Sequence, residues 1–140
     1  MVSPRRDSNP APGPSFLNVD LEIESAAKLD SLVAAMGRRV WVLHSGPGHK
    51  KRHFVNLESS REHKGPDATI HGLCAIIESL PPAVRRIWGA AARKEFDVGY
   101  ELRPSERSSR FTLRPDTLER IAGLGATLAV TCYRGDTDDA

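Results

Sequence analysis

Residues 17–23 read LNVDLEI and residues 96–102 read FDVGYEL, two stretches that align without gaps. In the first, Leu17, Val19, Leu21 and Ile23 alternate with Asn18, Asp20 and Glu22. In the second, Phe96, Val98, Tyr100 and Leu102 alternate with Asp97, Gly99 and Glu101. A period of two predicts strands with one buried and one wet face, because successive side chains leave opposite sides of an extended backbone. Both stretches are followed later in the chain by a segment of helical spacing that ends in glycine and returns to apolar residues. These segments are LDSLVAAMGRRVWV and LERIAGLGATLAV, which match once one residue is dropped inside the helix. Strand, helix and returning strand, repeated, is a strong constraint on 140 residues, a length that holds one sizeable core.

Right-handed crossovers would lay the strands of each unit parallel in one sheet, with both helices on the same face. The predicted class is therefore α+β: a mixed sheet of about five to six strands, two β-α-β-like repeats, helices packed on one face and the other face open. A ferredoxin-like arrangement is the nearest named relative. Ser25 is placed to N-cap a helix carrying Leu29, Leu32, Val33 and Met36, closed by Gly37. Val40 to His44 and His53 to Glu58 read as two further strands, the latter with Val55 and Leu57 on one face. Asp67 suits the N-cap of a helix bearing Ile70, Leu73, Cys74, Ile77 and Leu80. Pro81-Pro82 breaks it, and Pro82 opens another helix with Val84, Ile87, Trp88 and Ala91 inside. RPSERSSR reads as a polar hairpin tip, Phe111 to Leu113 as a short strand, and Asp116 with Glu119 as a capping box. Gly125 ends that helix, and Leu128, Val130 and Cys132 belong to a last strand. Residues 1–15 carry four prolines and are expected to be a disordered leader, residues 16–134 a single domain, and residues 135–140 a loose acidic tail.

The ending FTLRPDTLERIAGLGATLAVTCY resembles the tail of an uncharacterised bacterial domain-of-unknown-function family. The residues that carry the likeness are Leu113, Leu118, Ile121, Leu124, Gly125 and Tyr133, and the opening from Leu17 to Gly37 fits the same pattern less tightly. Where the family has an acidic residue before the final tyrosine, this chain has Thr131 and Cys132. The resemblance implies a fold and no particular activity.

Charge narrows the function classes. Twenty basic residues are set against 18 acidic ones, a net of +2, whereas a general nucleic-acid binder carries a larger basic excess. Cys74 and Cys132 both sit in apolar runs and read as small buried hydrophobes. No CxxC or Cys/His spacing points to zinc, and no motif calls for a cofactor. No apolar run approaches the ~18 residues of a membrane span, and the N-terminus has no secretory apolar region, so a cytoplasmic location is the default.

Two places could carry function. The first is SGPGHKKRH, residues 45–53, where Lys50, Lys51 and Arg52 follow a Gly-Pro-Gly turn. A P-loop needs G-x-x-x-x-G-K-[ST] between a strand and a helix, and this loop joins two strands. It reads as a solvated hairpin loop that could touch an anion or an acidic partner. His44 and His53 could face each other across it, with His49 at the tip, but the lysines would repel a metal ion. His71 and Cys74 are neighbours on one helix, and Cys74 reads as core rather than nucleophile. The basic run around Arg85, Arg86, Arg93 and Lys94 reads as the solvated face and end of a helix. The second place is the open sheet face, predicted to show Asp20, Glu22, Trp41, Phe54, Glu58, Asp97, Glu101 and Tyr133 beside Asn18, Asn56 and Thr131. Carboxylates interleaved with aromatics suit a basic or amphipathic partner.

The leading expectation is thus a small bacterial non-enzymatic binding or regulatory protein, of the toxin-immunity kind, that uses this face for a protein partner or a homodimer. The alternative is a small hydrolase or transferase in which His44 and His53 converge on Glu58, Asp97 or Glu101 and the basic loop holds an anionic substrate.

Overall fold

The two alternating stretches lie side by side at the centre of one sheet. The computed structural model describes residues 15–102 and 110–134. The expected leader up to residue 14, nearly all of the RPSERSSR tip and the acidic tail lie outside the described residues. β1 (Ser15–Ser25) pairs antiparallel with β4 (Arg93–Leu102), placing Val19 opposite Val98 and Leu21 opposite Phe96. On its other side β1 pairs antiparallel with β3 (His53–Ser59), which pairs antiparallel with β2 (Val40–Pro47). β5 (Thr127–Arg134) joins β4 in parallel, and the strand order is β2-β3-β1-β4-β5. The protein is α+β with a five-stranded mixed sheet.

The helices are α1 (Asp30–Met36), α2 (Gly65–Glu78), α3 (Pro82–Ala90) and α4 (Pro115–Gly123). Leu32 and Met36 of α1, Ile70, Leu73 and Ile77 of α2, Trp88 of α3 and Ile121 of α4 are buried in one cluster. With them are Val19, Leu21, Ile23, Val55, Leu57, Phe96 and Val98 of the sheet. Each such side chain taken from water stabilises the fold by about 1.5–3 kcal/mol. Because strand side chains alternate, burying this set turns the carboxylates of β1 and β4 to the opposite face. Among the described residues no helix is long and apolar enough to cross a membrane.

The two strand-helix-strand units are placed differently in the sheet. β4, α4 and β5 form a unit with adjacent parallel strands, whereas β3 lies between β1 and β2. β2 and β3 are joined by a short loop, so their hairpin closes at little entropic cost and β3 takes the position beside β1.

Several ends differ from expectation for local reasons. α1 begins at Asp30, since β1 continues through Ser25, which pairs with His53. Ser25 Oγ accepts the Ala27 N–H at 3.1 Å and shapes a turn in place of a helix cap. Asp67 lies in the first turn of α2, and its carboxylate takes the backbone N–H and the Nε of Arg114 instead of capping its own helix. Asp116 likewise lies inside the first turn of α4, whose N-cap is Arg114. Phe111 to Leu113 form no strand; Phe111 stacks on Tyr100 at 5.3 Å. α4 closes as its spacing predicts: Gly125, at φ +71°, donates to Ala122 O and Ala126 donates to Ile121 O, a left-handed glycine cap. Cys74 is fully buried but Cys132 is exposed, because β5 is an edge strand whose core-side residues Leu128 and Val130 are themselves half-open.

Candidate functional site

The register assembles the face predicted from alternation. Trp41 lies opposite Glu58, Asp20 opposite Asp97, and Asp97 beside Ala129. One row further along β1, Asn18 is opposite Gly99, which is beside Thr131, and Glu101 is beside Tyr133. On the other side, Glu22 lies between Asn56 and Glu95, with His44 opposite Asn56. All eight sheet-face candidates therefore share this side of the sheet.

Hydrogen bonds hold the carboxylates in place. Asn18 Nδ2 donates to Asp20 Oδ1 at 2.7 Å and to Glu58 Oε1 at 3.2 Å, bridging the two acids. Asn56 Nδ2 donates to Asp20 Oδ2 at 3.4 Å, and Thr131 Oγ1 donates to both oxygens of Asp97, at 2.7 and 3.0 Å. Burial pushes the Asp20 carboxyl above its ordinary range, against the bond from Asn56, and the charges of Glu58, Asp97 and Glu22 push it further.

Asp20 therefore binds its proton in the native state at a pH where the unfolded chain, with its ordinary value of 3.8, does not. Its crowding costs stability at neutral pH, and the cost fades as pH falls through the native value. Acidification from neutral pH down through the native Asp20 value is expected to stabilise the native protein relative to its Asp20→Asn variant. Melting curves of both proteins over a pH series from neutral down to the ordinary carboxylate value of 3.8 measure the effect, and a gap that stays constant throughout would show that Asp20 is not crowded.

The aromatic residues do not form one patch. Trp41, 57% exposed, is on edge strand β2 and Tyr133, 52% exposed, on the opposite edge. At about 4.8 Å per strand they are at least roughly 19 Å apart. Phe54 is half-buried against His44, with ring centroids 5.8 Å apart. Trp41 adjoins the Glu58–Asp20–Asp97 row at Glu58, its cross-strand neighbour, while the Tyr133 ring lies over Gly99 beside Asn18.

One end of the face also carries a cation among its carboxylates. Arg93 and Lys94 belong to β4 and not to the end of a helix, since α3 stops at Ala90. Arg93 is on the carboxylate side, with Nη1 3.2 Å from Glu22 and 3.7 Å from Glu95, and Nε 3.6 Å from Glu24. Extending the alternation of β4 back from Asp97 through Glu95 reaches Arg93, so the signal was present in the parity.

The basic loop binds an anion from its own chain. The backbone N–H of His49 donates to Glu24 Oε2 at 2.9 Å, and Glu24 is only 6% exposed although it lies on the outer face. This N–H is the first cause holding the Glu24 carboxyl below its ordinary range; burial opposes it and the charge of Arg93 adds to it. A Cβ at Gly48 would lie 2.5 Å from Glu24 Oε2, so a larger residue there would displace the carboxylate from the His49 N–H. The loop closes on itself through Gly48 N–H to Arg52 O and Arg52 N–H to His49 O. Lys50 and Lys51 both take left-handed backbone, at φ 54° and 64°. Lys50, Lys51 and Arg52 thus project from an anchored turn and are remote from the Glu58–Asp20–Asp97 row.

The histidines do not converge. A β-bulge at Leu43 shifts the register between Val42 and His44, which turns His44 to the outer face opposite Asn56. His53 pairs with Ser25 and takes the inner parity of Val55. The sheet separates the two rings, so the histidine pair expected across the hairpin does not form. Cys74 is equally unsuited to nucleophilic chemistry: burial, with Glu78 nearby, pushes its thiol up to about 11. His71 on the same helix meets Asp116 at 3.1 Å and Arg120, which forks onto Glu78 at 2.6 and 3.2 Å. These contacts tie α2 to α4. Comparison with protein-family models, with curated proteins and with solved structures gives no significant match.

Proposed function

We propose that the protein is a small non-enzymatic binding protein that captures a basic, amphipathic protein partner on the open face of its sheet. The observation that carries this reading is the crowding of Asp20, Glu58 and Asp97 beside exposed Trp41. A lysine or arginine from a partner would relieve repulsion that the fold sustains at neutral pH, and Trp41 would supply apolar area next to it. A second copy is a poorer partner, because a two-fold contact would set carboxylates against carboxylates. The hydrolase or transferase alternative called for His44 and His53 to converge on one carboxylate, and their opposite parities leave it without that pair. The resemblance to a bacterial family and an immunity-type role in the cytoplasm fit this reading and rest on sequence alone.

Asp20→Arg combined with Glu101→Arg tests it. An arginine at position 20 would sit among Glu58, Asp97 and Glu22, so the melting temperature is expected to hold. Binding of a synthetic decapeptide of alternating lysine and tryptophan is expected to weaken at least about tenfold and to lose most of its salt dependence. Equal binding by the double variant would remove the proposal.

A further inference from the structure

The helix layer stops short of one corner of the sheet. β2 has eight residues and α1 seven, which at about 3.3 and 1.5 Å per residue makes the strand roughly 26 Å long and the helix roughly 10 Å. Between α1 and the far half of the β2–β3 hairpin lies a cleft of about 760 Å³. Leu29 and Val33 line it from the α1 side, and Val42 and Val55 from the sheet. Val42 remains 46% exposed although it has core-side parity. Lys51, Arg52 and His53 also border the cleft, opposed by a single acid, Asp30. Its volume falls in the roughly 300–1,000 Å³ range in which proteins hold small ligands.

We propose that this cleft binds a small amphipathic anion, with its apolar chain against Val33, Val42 and Val55 and its carboxylate at Lys51 and Arg52. Apolar walls favour a hydrocarbon, and the basic excess at the border selects the sign of its head group. The bond from His49 to Glu24 holds the loop that carries Lys51 and Arg52, so these cations are positioned before a ligand arrives. The cleft is on the helix side of the sheet, away from the Glu58–Asp20–Asp97 row, and the inference does not depend on the outer face being a binding surface.

Decanoate, 1-decanol and decylamine, used below their micellar range, differ chiefly in head-group charge and separate the two contributions. Followed by backbone amide NMR on the full chain, decanoate is expected to bind saturably below about 1 mM, with shifts clustered at Val33, Val42, Arg52 and Val55. Decylamine should bind at least about tenfold more weakly. Lys51→Gln with Arg52→Gln should abolish that preference and leave 1-decanol unchanged, and Val42→Glu should weaken decanoate at least about tenfold. If Val42→Glu lowers the melting temperature, the shift map and head-group preference of the unaltered chain decide alone. Equal affinity for decylamine, shifts spread over the outer face, or absence of saturable binding would each overturn the proposal. So would concentration-dependent loss of the Val42 signal without ligand, which would give the cleft to a second copy.

Discussion

Trp88→Ala is expected to destabilise the protein by about 3–5 kcal/mol, the range for removing a fully packed tryptophan. Trp88 is 2% exposed and is among the largest fully buried side chains, so its loss leaves a cavity that α3 cannot close by a small shift. Its indole Nε1 donates at 2.9 Å to Leu124 O, at the capped end of α4, and Lys94 Nζ lies 5.7 Å from its ring centroid. The side chain thereby joins α3, the end of α4 and the start of β4. Trp88→Phe separates the two contributions, since it keeps most of the apolar volume but leaves the Leu124 carbonyl without its donor, at a cost of about 1–3 kcal/mol. Urea unfolding followed by far-ultraviolet circular dichroism measures both variants without relying on tryptophan emission. A cost below about 1 kcal/mol for Trp88→Ala, with the denaturant slope unchanged, would contradict this account of the core.

The elements legible in the sequence are those whose periodicity reflects burial on one face. Val19, Leu21 and Ile23 alternate because β1 is central and packs against helices on one side only; Phe96 and Val98 do so for the same reason in β4. From that parity alone, Asp20, Glu22, Asp97 and Glu101 were assigned to a common face, and the register places them there. What could not be read depends on contacts distant in sequence or on a one-residue irregularity. The bulge at Leu43 reverses the parity of His44 without any glycine or proline at the bulged position to mark it. The exposure of Cys132 follows from the place of β5 at an edge, which is a property of strand order and not of the local pattern TLAVTCY. Strand order itself depends on which pairings close most cheaply, and two similar strand-helix-strand stretches gave no sign that β3 would separate one pair and not the other. The partner of the Gly-Pro-Gly-His turn was also hidden, since Glu24 lies 25 residues from His49 and reads as the last polar alternant of an ordinary strand.

Glu24→Gln is expected to release the basic loop and make it at least about tenfold more sensitive to trypsin at Lys50, Lys51 and Arg52. In the native protein these three residues are expected to be cut slowly, because the turn that presents them is closed by its own hydrogen bonds and anchored to the Glu24 carboxylate. Glutamine preserves the size of the side chain and one acceptor oxygen. It removes the charge that the His49 N–H and Arg93 both face, and so leaves Arg93 with less to balance it. The melting temperature should fall by roughly 3–5 °C, as expected when a charged hydrogen bond is weakened in a domain of this size. The dependence on pH has a definite sign. Because the native value of Glu24 lies below its ordinary 4.5, the anchor contributes fully above that value and is lost as pH falls through the native one. The protection of the His49 amide against hydrogen exchange should therefore be high at neutral pH in the wild-type chain and decline in acid, and be low throughout in Glu24→Gln. Unchanged trypsin cleavage together with unchanged His49 protection would show that the loop is held by its internal turn alone. Loosening in the variant would establish that Glu24 sets the position of Lys51 and Arg52 at the border of the cleft.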